Sequence, residues 1–233
     1  MANSPDPDHS LRQVVVLSAP IGLAFIPLGM ALGFLVIHAG LAWWWAPVFA
    51  AVIYAGSLEF LMVQLAASAA PLATVALTTF VVNSRHVFYA LSFPLHRVRG
   101  VAGKAYSTYT LSDEAYAVGV SPEAQTWTTR PILLMQLCFH LLWVTGATLG
   151  GLIGEALPID RLVGLDFALT ALFIVLGIDA YRQRPDRLTA AIAAACAVAA
   201  WIVVPGQLLV CAFAAFTGVL VARMVLQHRL GRA

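Results

Sequence analysis

The chain has 233 residues, of which 61% are hydrophobic and 10% are charged, with a formal net charge of +2 and a mean hydropathy of +0.87. Ordinary soluble domains carry about 25% charged residues, so this composition excludes a cytosolic enzyme, a disordered tail and a coiled coil. The small net charge leaves no footprint for nucleic acid, and the expected surroundings are a lipid bilayer.

Residues 1–12 read as a flexible polar tail, with Pro5, Asp6, Pro7 and Asp8 and without the basic start of a secretory signal. A helical span needs about 20 apolar residues. Seven candidates follow, at 14–37, 44–67, 72–94, 131–154, 163–181, 187–204 and 206–225, in one transmembrane domain over 13–226. A basic tail, 227–233, closes the chain. Gly40, Pro71, Pro158, Pro185 and Pro205-Gly206 mark breaks between spans. Polar and apolar residues do not alternate, which excludes a β-barrel. The predicted fold is all-α, a polytopic helical bundle.

In the first span Pro20 and Pro27, among Gly22, Gly29 and Gly33, predict a kinked helix or a broken one beside a substrate site. Gly29-xxx-Gly33, Gly146-xxx-Gly150 and Gly150-xxx-Gly154 predict close helix packing. Trp43, Trp44 and Trp45 read as an interfacial anchor. Ser57–Phe60 resembles Thr170–Phe173, which suggests two inverted three-helix halves. The segment 105–125 is too polar to face lipid and reads as re-entrant or interfacial.

Loop charge sets the orientation. Arg97, Arg99, Lys104, Arg130, Arg182, Arg184, Arg187, Arg223, Arg229 and Arg232 fall on one side of seven spans, against Arg12 and Arg161 on the other. A cytoplasmic C-terminus follows. Cys138, Cys196 and Cys211 lie in apolar runs without metal-ligand spacing and read as packing residues. No metal and no cofactor is expected.

Ionisable groups inside a membrane are expensive and are read first as functional. Glu59 lies inside span two and Arg85 inside span three, at comparable depths, so a Glu59–Arg85 pair is one expectation and proton exchange by Glu59 the other. Asn83 and His86 share one helix face, Arg85 and Tyr89 another. A regular helix cannot aim all four at one point, so either the helix unwinds there or the residues do two jobs. The candidate substrate-binding residues are Ser57, Glu59, Asn83, Arg85, His86 and Tyr89. Phe25, Phe60 and Phe88 are candidates for an apolar pocket. Candidates for proton coupling or gating are Glu59, His86, Asp113, Glu114 and Asp166. Ser112 reads as a helix cap with Asp113 and Glu114 in the first turn, and Asp166 as a cap or a partner of Arg161 as much as a substrate group. His140 reads as a helix-to-helix hydrogen bond.

Four motifs in order then carry a resemblance: Ala55-Gly56-Ser57-x-Glu59-Phe60, Asn83-x-Arg85-His86-x-x-Tyr89, Leu111-x-Asp113-Glu114, and Asp166-Phe167-Ala168-Leu169-Thr170-Ala171-Leu172-Phe173. With them the chain resembles the AzlC family, the large subunit of branched-chain amino-acid exporters, over about 20–225. The resemblance implies export of valine, leucine, isoleucine and methionine, and a small membrane partner of the AzlD type. Glu59 stands where that family usually has glutamine. The expected function is a secondary transporter for hydrophobic amino acids, coupled to protons. The alternative is a channel, or an assembly subunit without transport of its own. An intramembrane hydrolase would rest on Ser57 beside His86, without a GxSxG or HExxH sequence.

Overall fold

The computed structural model describes residues 7–157, 174, 178, 181–182, 185–204 and 208–230. It is helical, with no strand among the described residues. The helices are α1 (Pro7–His38), α2 (Trp45–Val52), α3 (Gly56–Ala67), α4 (Leu72–Asn83), α5 (Arg85–Ser92), α6 (Val101–Tyr109), α7 (Asp113–Gly119), α8 (Thr129–Ala156), α9 (Arg187–Val203) and α10 (Leu208–Leu230). Two of them, α1 over Arg12–His38 and α8, are each long and apolar enough to cross a membrane. The predicted span 163–181, the repeat at Thr170–Phe173, Asp166 and Arg161 lie outside the described residues.

The described residues fall into two compact units, one of 7–70 with 83–157, the other of 71–82 with the residues from 174 onward. The first is built on α1 and α8, packed along their lengths, with α2, α3, α6 and α7 around them. The predicted glycines form that seam. A Cβ on Gly29 would lie 2.8 Å from the Trp143 carbonyl oxygen, and one on Gly146 2.6 Å from that of Ile26. Gly33 and Gly150 are closer still, facing the backbones of Gly151 and Met30. Where backbone meets backbone, no side chain can swing aside. Gly150→Leu is therefore expected to lower stability by about 1–3 kcal/mol or more, seen as a lower unfolding midpoint in detergent. A midpoint like the wild type's would contradict this packing.

Pro20 and Pro27 do not break α1, which runs from Pro7 to His38 without interruption. It also begins inside the stretch expected to be tail. Likewise α10 continues to Leu230, into the expected basic tail.

Breaks occur instead in the second and third predicted spans. Span 44–67 is two helices, α2 and α3, separated at Ile53–Ala55. Tyr54 there has φ +45°, the left-handed region, and is buried. Such a conformation costs a non-glycine residue roughly 1–3 kcal/mol. Span 72–94 is likewise interrupted at Ser84, between α4 and α5.

α6, the turn at 110–112 and α7 form a hairpin that overlaps the polar segment 105–125. Gly100, at φ +81°, leads into α6, and Ser112 caps α7 as predicted, its Oγ accepting from the Ala115 N–H at 3.2 Å. The hairpin returns to its start, where the Arg97 guanidinium donates to the Ala124 carbonyl at 3.1 Å. Thr129 Oγ1 joins the start of the hairpin to α8, donating to the Arg97 carbonyl at 3.0 Å and accepting from the Arg99 N–H at 2.9 Å.

In the second unit α9 packs on α10. Asp186 caps α9, accepting from the Leu188 and Thr189 N–H groups at 3.0 and 3.2 Å and from the Thr189 hydroxyl at 2.5 Å. Arg223 of α10 lies 3.6 Å from the same carboxylate. The Thr189 hydroxyl bond first, then the backbone bonds and Arg223, hold the Asp186 carboxyl below the usual carboxylate range.

Candidate functional site

Three irregular points of the first unit meet: the α2/α3 break, the turn at Ser84 and the tip of the α6–α7 hairpin. Breaks leave backbone groups outside the helical ladder, and polar side chains gather where those groups lie. The Tyr109 hydroxyl, at the hairpin tip, donates to the Ala51 carbonyl at the end of α2.

Glu59 is fully buried in the first turns of α3. Its Oε1 accepts from the Ala55 N–H at 2.8 Å, which closes the break from the α3 side. The Trp143 indole N–H straddles the carboxylate, 3.1 Å from Oε1 and 2.9 Å from Oε2. Phe25 of α1 packs edge-on against Trp143, with ring centres 5.7 Å apart. No cation pairs with Glu59 among the described residues.

The expected Glu59–Arg85 pair is therefore corrected. Arg85 Nη1 lies 2.8 Å from Asp113 Oδ2, and its Nη2 donates to Ser57 Oγ at 3.0 Å. One guanidinium thus ties the start of α5 to the start of α7 and to the first turn of α3. Its planar fork can serve both directions at once. Both side chains are partly open, at 38% for Arg85 and 42% for Asp113. Glu59 is reached first by its own helix end and by Trp143, and the hairpin brings Asp113 to Arg85.

Around this pair, α5 and α7 are linked twice more. Tyr89 stacks on Tyr116, with ring centres 4.5 Å apart and planes 15° apart, and the Ser92 and Tyr116 hydroxyls are 2.8 Å apart. Phe93, at the end of α5, packs its ring against Gly119. His86 turns back on its own segment, its Nδ1 3.1 Å from the Asn83 carbonyl oxygen, and its ring meets Tyr89 edge-on at 5.5 Å. The helix is interrupted at Ser84, whose backbone keeps helical angles, φ −53° and ψ −29°. Arg85 Nε and Asn83 Oδ1 are buried without a hydrogen-bond partner. One is a donor and the other an acceptor.

The structure thus brings together Ser57, Arg85, His86, Tyr89 and Asp113, with Asn83 touching the group through its backbone carbonyl on His86. Glu59 sits apart, behind the break, on Trp143. Glu114 follows Asp113 in the first turn of α7, and Asp166 lies outside the described residues. Phe60 and Phe25 are buried, but Phe88 is 68% exposed and is no part of a pocket within this unit. Sequence reasoning missed Trp143, Tyr54 and Tyr116. A tryptophan halfway along α8, rather than at either end of an apolar helix, was the available signal for the first. His140 makes the expected helix-to-helix contact, its Nδ1 3.2 Å from the Tyr106 hydroxyl.

Several known proteins are similar to this chain. A Bacillus subtilis protein named Branched-chain amino acid transport protein AzlC is 29% identical over 91% of this chain and 84% of its own length. Inner membrane protein YgaZ of Escherichia coli is 25% identical over 77% of each chain. An uncharacterized membrane protein of Haemophilus influenzae is 32% identical over 68% of this chain and 66% of its own. No solved structure matches. The family model described as AzlC protein matches residues 20–157, a stretch that holds both helix breaks, the hairpin and every placed site residue, and the chain belongs to the AzlC family.

Proposed function

We propose that this chain is the large subunit of a secondary transporter that exports branched-chain and other hydrophobic amino acids, valine, leucine, isoleucine and methionine among them, in exchange for protons. It lies in the inner (plasma) membrane as a multi-pass protein with a cytoplasmic C-terminus, and it works with a small membrane subunit of the AzlD type. The family membership and the name of the Bacillus subtilis relative support amino-acid transport.

The observation that carries the reading is the half-open Arg85–Asp113 pair at the meeting of two helix breaks and a hairpin tip. A zwitterionic amino acid carries the same two charges a few ångströms apart. Its carboxylate replaces Asp113 on the Arg85 fork and takes up the unpartnered Nε. Its ammonium goes to the released Asp113 carboxylate and to Asn83 Oδ1. Binding then exchanges one set of charge-assisted hydrogen bonds for another, which keeps the transition between states shallow. Breaking the pair also unties α5 from α7, giving the substrate a differential effect on two conformations. The hairpin, two short helices joined by the non-helical turn at 110–112, acts as a re-entrant gate, since such a turn at membrane depth is tolerated where it lines a polar cavity. Glu59, held by N–H donors and by no cation, gains and loses the coupled proton without breaking an ion pair.

The test is counterflow of labelled valine into proteoliposomes preloaded with unlabelled valine, made with and without the small subunit. Uptake against the label gradient, competed by leucine, isoleucine and methionine but not by glutamate or lysine, is the expected result. Flux that never shows counterflow would indicate a channel. Absence of flux from the complete pair would indicate an assembly subunit or a different solute.

A further inference from the structure

The seam between α6 and α8 carries polar groups that the substrate site does not use. Gln136 is fully buried, and its amide nitrogen donates to the Ser107 carbonyl at 2.8 Å and the Thr110 carbonyl at 3.4 Å. Two carbonyl partners fix the orientation of the amide. Its Oε1 is then left inside the seam without a partner, and so is Oγ of the fully buried Ser107 beside it. An acceptor and a hydroxyl, both enclosed and both unsatisfied, are the lining that a buried water takes.

One turn further along α8, His140 meets the Tyr106 hydroxyl through Nδ1, and its ring lies 4.5 Å from that of Tyr54 at the helix break. One turn further again, Trp143 holds Glu59. Gln136, His140 and Trp143 are i, i+4 and i+7, so they share one helix face. The row is about 10 Å long at about 1.5 Å per residue. It begins near the end of the unit that carries Arg97, Arg99, Lys104 and Arg130 and leads to a carboxyl group that the substrate site leaves aside.

We propose that the α6–α8 seam is a hydrated proton path, with water bound between Gln136 and Ser107 and His140 as the relay, joining Glu59 to the basic end of α8. Discharge breaks the Glu59 carboxyl O–H bond and leaves the carboxylate on Trp143 and the Ala55 N–H. Water in the seam carries that proton from Glu59 to one ring nitrogen of His140, the second nitrogen gives up another to the water held by Gln136 and Ser107, and it leaves as hydronium in bulk water. Trp143 has a donor and no acceptor, so it positions the carboxylate and relays nothing. The titratable groups around the row are Tyr54 from the break, Tyr106 and Tyr109 from α6, Glu114 from α7, and Cys138 from α8. From α1, Phe25 faces Trp143, and the ionisable Arg12 and His38 lie toward its two ends.

This inference rests on Glu59 exchanging protons. The complex with its small subunit is placed in liposomes holding a pH-sensitive dye, and valine-driven proton movement is read beside valine–valine counterflow. Gln136→Leu and His140→Gln are expected to keep counterflow and to slow proton movement by roughly a hundredfold, the scale of a positioned proton-transfer group. His140→Ala should be restored in part by added imidazole, which replaces a relay but not a packing contact. Wild-type proton movement that persists in both variants would overturn the path. A wild type that moves valine without moving protons would instead sink the coupling reading beneath it. If His140→Gln also loses counterflow, Gln136→Leu decides: fast proton movement in that variant overturns the path, and slow movement with intact counterflow supports it.

Discussion

Glu59→Gln is expected to keep valine counterflow and to lose its response to a pH gradient. The geometry makes this a clean substitution. Oε1 of Glu59 already accepts from both the Ala55 N–H and the Trp143 indole N–H. A glutamine carbonyl can accept both bonds, and its amide nitrogen, in the place of Oε2, gives up only the 2.9 Å Trp143 contact, as the hydroxyl of a protonated acid does, so the α2/α3 break stays closed. What the variant lacks is a proton to give up. A role for Glu59 in holding helices together predicts the opposite pattern, with lower stability and unchanged gradient dependence. Efflux from proteoliposomes with and without an imposed gradient, alongside the unfolding midpoint, separates the two.

Arg85→Lys is expected to cut transport by roughly ten- to a hundredfold while leaving the protein folded. Lysine keeps the charge but offers a compact ammonium in place of a planar fork. It cannot hold Asp113 at one nitrogen, Ser57 at the other, and present a third N–H to a substrate carboxylate. A lost charge-assisted hydrogen bond is worth about 1.5–3 kcal/mol, and each 1.36 kcal/mol is about tenfold in rate. A charge swap sharpens the point. Arg85→Asp combined with Asp113→Arg restores an ion pair between α5 and α7. Recovery of the unfolding midpoint without recovery of transport is the expected result, because the substrate's charges then meet the wrong partners. Recovery of both would reduce the pair to a structural tie.

Much of the fold was legible because it depends on local chemistry. Composition dictates the bilayer. The glycines at 29, 33, 146 and 150 do what small residues four apart do, bringing α1 and α8 backbone to backbone. Ser112 caps α7 because its hydroxyl reaches a first-turn N–H. The helix breaks were not legible in the same way. Proline was the visible breaker, yet α1 continues through Pro20 and Pro27, since neighbouring helices and local adjustments re-satisfy the freed backbone groups. The break that matters contains no proline. It falls at Ile53-Tyr54-Ala55, where Tyr54 takes a left-handed turn stabilised from outside by Glu59, Trp143 and the Tyr109 contact to Ala51.

The sequence offered a list of candidate residues but not their partners. Depth along two antiparallel spans suggested Glu59 for Arg85. It carried no information about the hairpin, which delivers Asp113 to Arg85 from 28 residues away. Trp143 was hidden for the same reason: its carboxylate partner lies 84 residues earlier in the chain.

The central claim is that amino-acid export by this chain is driven by protons. The measurement that tests it most directly is efflux of labelled valine from proteoliposomes holding the chain and the proposed small partner, with the pH gradient imposed in either direction or absent. Efflux accelerated by inward proton movement, and slowed when the gradient is reversed, is the predicted result. Efflux at the same rate under all three conditions, from a preparation that shows counterflow, would contradict it.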